Sequence, residues 1–263
     1  MVGAQLPRDG SRIKPPPSQA ELPSEDGQPM ESQRHWKATV MLSEPLELFW
    51  SERRDFFIGT NMFLYFSALQ AKKNDFRGPD FFVVLDTTRG ERESWIVWEE
   101  NGKGPDLVVE LLSESTRAED RGPKKRVYER VLRVSEYFLY DPFTGVLDGF
   151  RLDSNLQYAP ISFNDAGRME SLSTGLELGI WNGSYHGIQA PWLRWFRADG
   201  SMLPTNEELK EAAQAARTEA DAARTEADVA RTEADAARAE ADAERKRRLE
   251  LEAVVAQLTA AKT

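Results

Sequence analysis

The middle of the chain alternates short apolar runs with turn signals. From Trp36 to about Asp55, the residues Leu42, Leu46, Leu48, Phe49 and Trp50 recur at helical spacing and predict an amphipathic helix. Beyond it, Phe56 to Gly59 and Met62 to Phe66 read as strands. So do Phe81 to Leu85, Trp95 to Trp98 and Leu107 to Leu112, the last two separated by the turn Asn101-Gly102-Lys103-Gly104-Pro105. Arg121 to Leu132 predicts a second helix, with Pro123 tolerated only near its first turn. Tyr137 to Tyr140 reads as a strand ended by Asp141-Pro142. Val146 to Leu152 with Gln157 to Ile161 reads as a hairpin, and so does Leu176 to Trp181 with Ser184 to Ile188, turning at Asn182-Gly183. A helix, strands, a helix and strands again imply an α/β (α+β) domain with a mixed sheet over residues 36–203.

The two ends differ from this middle. Residues 1–35 are rich in Pro, Ser, Gln and acidic groups, including Pro15-Pro16-Pro17, and offer little apolar surface to offset the entropy of ordering. They read as a disordered arm. In the segment 204–263, Thr205 and Glu208 have the spacing of a helix-starting capping box. The unit Arg-Thr-Glu-Ala-Asp-Ala-Ala then recurs every seven residues from Arg217, Arg224 and Arg231, and in altered form from Arg238. The seam from Leu209 and Ala213 to Ala241 alternates steps of three and four, a coiled-coil register unbroken by Gly or Pro. This predicts a homo-oligomer through a C-terminal coiled coil. The competing reading is a solvated single helix held by charge pairs along its own length.

Composition narrows the chemistry. There is no cysteine, which excludes disulfides, zinc ribbons and cysteine nucleophiles. Only His35 and His186 are histidines, too few for a multi-histidine metal cage, and neither has an evident partner in sequence. All seven Trp fall between Trp36 and Trp195, so the core belongs to the middle segment. No apolar run approaches the roughly 18 residues of a membrane span, and the N-terminus lacks the apolar stretch of a signal peptide. A soluble cytoplasmic protein is expected. The formal net charge is −10, and none of the three segments is basic, which weighs against strong non-specific DNA binding.

Three carboxylates stand at chemically pointed places. Glu110 lies inside the apolar run Leu107-Val108-Val109-Glu110-Leu111-Leu112, where a carboxylate is costly unless paired, protonated or metal-bound. Asp80 opens the strand Phe81-Phe82-Val83-Val84-Leu85, and Asp106 opens the Glu110 strand. Carboxylates brought together from adjacent strands would suit Mg²⁺, although an Asp at a strand start is also ordinary turn chemistry. Downstream, Arg117, Arg121, Lys124, Lys125, Arg126, Arg130 and Arg133 gather around one helix, either as a solvated face or as phosphate contacts. The chain has no P-loop, no Gly-x-Gly-x-x-Gly, no Gly-x-Ser-x-Gly and no His-Glu-x-x-His.

The segments Gly59 to Phe63, Phe76 to Leu85, Gly104 to Thr116 and Glu136 to Pro142 together resemble the Uma2 family of restriction-endonuclease-like proteins. The likeness spans about residues 36–203 and extends to the alanine- and glutamate-rich tail. That family falls in the PD-(D/E)xK nuclease superfamily. The resemblance implies a restriction-endonuclease-like mixed sheet flanked by helices, and Mg²⁺ (or Mn²⁺) held by Asp80 and Glu110, with the Leu111 carbonyl as a further ligand. DNA is the implied substrate. Leu112 stands where the superfamily signature has its lysine. The resemblance moves that role to the following helix, where Lys-x-x-x-Tyr points to Lys124, with Lys125 as the alternative. The rival expectation is a nuclease fold kept for binding or scaffolding.

Overall fold

The computed structural model describes residues 16–22, 32–67 and 78–260. The chain divides into two compact units, Met1–Thr205 and Asn206–Thr263. Most of the expected N-terminal arm lies outside the described residues. Within it, Gln19–Glu21 form one 3₁₀ turn. Trp98 donates its indole N–H to the Pro17 carbonyl at 3.0 Å, and the Gln19 amide donates to Glu99 at 3.2 Å.

Helix α1 spans Gln33–Phe49 and is capped by Ser32, whose hydroxyl accepts from the His35 amide. Strands β1 (Phe56–Thr60), β2 (Leu64–Tyr65), β3 (Phe81–Leu85), β4 (Trp95–Ile96) and β5 (Leu107–Leu111) follow. Residues 117–132 make helix α2, whose turns alternate between α and the wider π form. After it come β6 (Glu136–Tyr140), β7 (Leu147–Leu152), β8 (Tyr158–Pro160), β9 (Arg168–Ser171), β10 (Leu176–Tyr185) and β11 (Ile188–Phe196). The main sheet has the order β1-β3-β5-β6-β7-β8 and is mixed, because β5 and β6 run parallel and the other neighbours antiparallel. The parallel pair requires a crossover, and α2 supplies it.

Side chains alternate across this sheet, so each strand feeds two cores. Phe81, Val83, Leu107, Val109, Phe138 and Tyr140 pack with α1 and with the second sheet, β11-β10-β9. Phe82, Val84, Val108, Leu112, Tyr137 and Leu139 face the other way and meet Tyr128 of α2, Leu64 and Trp95. The buried Glu136 carboxylate joins the two sheets. It accepts from Arg151, from Ser171 Oγ at 2.6 Å, and from the amides of Leu172 and Ser173.

Several elements depart from the sequence reading. The Met62 to Phe66 strand shrinks to β2, and Trp95 to Trp98 shrinks to β4; the two pair in parallel outside the main sheet. Asn182-Gly183 is not a turn. It lies inside β10, where Trp181, two residues away on the same face, lays its ring over Gly183. The chain reverses instead at His186-Gly187, both at positive φ (46° and 74°), the backbone that a two-residue hairpin requires. Strand β11 is consequently nine residues long, and β9 is an element with no counterpart in the sequence reading. In the second unit, α3 runs unbroken from Asn206 to Ala260. None of the described helices is long and apolar enough to cross a membrane.

Gly59 marks the closest approach in the main sheet, because a Cβ there would run into the Phe82 ring. Gly59→Ala is therefore expected to destabilise the domain by about 1–3 kcal/mol through overpacking. Urea unfolding measures this, and an unchanged midpoint would contradict the packing described.

Candidate active site

The alternation that splits the core also sets the site. Val108, Glu110 and Leu112 point to the α2 side of β5, as do Phe82 and Val84 of β3. The register pairs Phe81 with Val109, and one step further sets Asp80 opposite Glu110. The Asp80 amide donates to Glu110 Oε2 at 3.4 Å, and Asp80 Oδ2 accepts from the Leu111 amide at 2.7 Å. Asp80 and Glu110 are therefore neighbours across adjacent strands, and each raises the cost of the other's charge.

Helix α2 closes the cluster. Lys124 Nζ lies 3.2 Å from Glu110 Oε2 and 3.0 Å from Asp120 Oδ1. One turn on, Tyr128 donates its hydroxyl to Glu110 Oε1 at 2.9 Å. Tyr137 of β6 donates to the Asp120 carbonyl at 2.8 Å and packs against Tyr128. Glu110 and Asp120 are fully buried, and Asp80 is half-buried. Lys125 turns away, its ammonium over the Phe150 ring at 3.1 Å. Of the two candidate lysines, only Lys124 reaches the carboxylates.

The charges do not balance. Three carboxylates surround one lysine, leaving two negative charges in excess when all are ionised. Burial pushes the Glu110 carboxyl up to about 8; Lys124 opposes the shift, and Asp80 and Asp120 add to it. Burial raises Asp80 as well, against the pull of Lys124 and the Leu111 amide. For Lys124, burial works against its charge, but Glu110, Asp120 and Asp80 outweigh it and hold its pKa above the ordinary lysine value. Lys124 is thus a fixed cation.

Other candidates fall elsewhere. Asp106 Oδ2 accepts from the Leu85 amide at 2.7 Å and so joins the ends of β3 and β5. His186 sits in the β10–β11 turn. His35, expected at the edge of an arm, is buried in the first turn of α1, where Ser32 Oγ meets its Nδ1 at 2.7 Å. Much of the basic run is already engaged: Arg117 pairs with Asp141 and Arg121 with Asp148, each at 2.6 Å. Sequence reasoning missed Asp120. Its signal was present, since Asp120, Lys124 and Tyr128 recur at steps of four along one helix face. The motif Gly59-Thr60-Asn61 also finds a place here. Asn61, at φ 47°, donates its amide to the Asp80 carbonyl at 3.0 Å. Thr60, Asn61 and Met62 also line an open surface depression together with Gly90 to Glu93, and Asp80, Glu110 and Asp120 do not line it.

The model of the Uma2 family, described as "putative restriction endonuclease", matches residues 11–189. The chain belongs to that family. It is 28% identical over 102 residues to the uncharacterized protein slr1290 of Synechocystis sp., covering 39% of this chain. The matched stretch spans 50% of that relative's length. A crystal structure of a "putative nuclease belonging to DUF820" from Anabaena variabilis superposes with a TM-score of 0.40 at 13% identity, over 56% of this chain and 76% of that one.

The excess charge makes a pH prediction. The Glu110 value lies above the ordinary 4.5, so the folded protein keeps a proton that the unfolded chain releases. The Glu110 contribution to stability is then full below about 4.5 and is lost as pH rises through about 8. Thermal unfolding in a chelating buffer should show this decline, and Glu110→Gln, which mimics the protonated form, should flatten it. A wild-type curve that rises over the same range would contradict the assignment.

Proposed function

We propose that the chain is a divalent-metal-dependent endonuclease that hydrolyses phosphodiester bonds in DNA. The observation carrying this reading is the buried acidic cluster: Glu110 and Asp120 share Lys124 while Asp80 stands against Glu110, and a divalent cation would offset the negative charge left when all three are ionised. A donor set of two carboxylates, Asp80 and Glu110, suits Mg²⁺, which keeps several waters and takes one or two carboxylates, with Mn²⁺ as its substitute.

Asp80 and Glu110 would hold the ion. The Leu111 amide faces Asp80, and in a strand the N–H and C=O of one residue face the same edge, so the Leu111 carbonyl is available as a further ligand. When bound, the ion supplies Lewis-acid polarisation of the phosphate and a more acidic water. Lys124 keeps its proton and so does not serve as the base; it donates hydrogen bonds to water and phosphate oxygens and offsets charge as the ester bond breaks. Asp120 holds that ammonium from behind, and Tyr128 fixes the Glu110 carboxylate. The partners implied are DNA and, through α3, further copies of the chain; a cytoplasmic setting belongs to the same reading.

A second reading keeps the fold as a non-catalytic binding or scaffold module. It is favoured by the net charge of −10 and by the ion pairs that already engage Arg117 and Arg121. Cleavage assays on DNA and RNA with Mg²⁺ or Mn²⁺, run beside calorimetric ion binding, separate the two. Glu110→Gln should lose both turnover and ion binding. Lys124→Ala should lose at least about 100-fold in turnover yet still bind the ion, because its role is electrostatic. Lys125→Ala should cleave like wild type. Wild-type protein that neither binds the ion nor cuts would establish the scaffold reading, and equal losses at Lys124 and Lys125 would refute the lysine assignment.

A further inference from the structure

The seven-residue repeat of α3 places charge as regularly as it places alanine. With Ala213 as position a, the seam runs through Ala220, Ala227, Ala234 and Ala241 at a, and through Ala216, Ala223, Ala230 and Ala237 at d. Each flank then carries one sign. Position e is Arg217, Arg224, Arg231, Arg238 and Arg245, and position g is Glu219, Glu226, Glu233 and Glu240. Opposite the seam, Thr218, Thr225 and Thr232 turn their hydroxyls onto the carbonyls four residues back, at 3.0, 2.9 and 2.8 Å. Among the described residues, Arg217, Arg224 and Arg231 make no ion pair within their own helix. The helix is exposed along the whole seam and, at 55 residues, is about 80 Å long.

We infer that α3 pairs with α3 of a second copy of this chain, parallel and in register. In a parallel pair, position g of one helix meets position e of the next heptad on the other. Glu219 then meets Arg224 of the second copy, Glu226 meets Arg231, Glu233 meets Arg238 and Glu240 meets Arg245, opposite charges every time. An antiparallel pair sets g against g and e against e, which puts Glu beside Glu and Arg beside Arg along the whole repeat. The charge pattern therefore selects both the partner and its direction. Alanine lets the two backbones approach closely but buries little area per layer, so the flanking charges count for more than in a leucine seam. Glu244 and Arg248 interrupt d and a for one heptad, after which Leu251 and Val255 return to the seam.

The pairing stands on the helix alone, and its test reads no cleavage. The chain has no cysteine, so single substitutions report cleanly. Ala216→Cys and Ala241→Cys, made separately in the full chain and oxidised, should each crosslink to themselves, and sedimentation of the wild type should give the mass of two chains. Crosslinks that form only when the two variants are mixed would show an antiparallel pair and overturn the inference. A monomer without crosslinks, or a mass above two chains, would overturn it as well. The triple change Glu219→Arg, Glu226→Arg and Glu233→Arg should weaken self-association at least about tenfold, with a smaller loss at high salt. Unchanged association in that variant would refute the charge argument.

Discussion

A carboxylate buried in the middle of a β-sheet constrains everything around it. Glu110 is fully shielded from solvent, and each of its oxygens is met by a side chain from α2. Desolvating a charge this completely is expensive, and an unpaired one would protonate or force the sheet open. The fold answers by bringing a lysine and a tyrosine from one helix onto one face. The crossover helix between the parallel strands β5 and β6 is thus both a topological necessity and the source of the groups that make Glu110 tolerable.

That answer is incomplete in an informative way. Lys124 is shared between Glu110 and Asp120 while Asp80 stands across the strand, so one cation serves three acids. A structure selected only for stability has a simpler solution in an apolar residue at position 110, which often costs nothing or improves stability. That imbalance is the observation on which the proposed cation site rests. The wider π turns at Asp120–Lys124 and Tyr128–Leu132 fit the same picture, since such turns re-aim side chains where a regular helix would not.

The acidic half of the site was legible in the sequence because burial and charge conflict visibly there: Glu110 interrupts an apolar run, and Asp80 precedes another. The lysine was legible only through family resemblance, since neighbouring lysines look alike in sequence and only packing sends Lys125 to Phe150 and Lys124 inward. Asp120 escaped because its neighbours are exposed and charged, and nothing local marks it as buried. The β10–β11 hairpin was misplaced for a related reason. Asn-Gly is a strong turn signal, but Gly183 is there to accept the Trp181 ring, a contact invisible without the fold. The two small strands β2 and β4 pair with each other across some thirty residues, a distance over which local pattern carries no information.

The proposed cation site of Asp80 and Glu110, with Lys124 as a fixed cation beside it, has a definite crystallographic signature. Its most direct test is a crystal of the full chain soaked in Mn²⁺ and measured at the manganese absorption edge. One anomalous peak is expected within coordination distance of both carboxylates, with Lys124 still beside Asp120. Ordered density for Asp80 and Glu110 with no peak between them, and Lys124 bridging both, would contradict it.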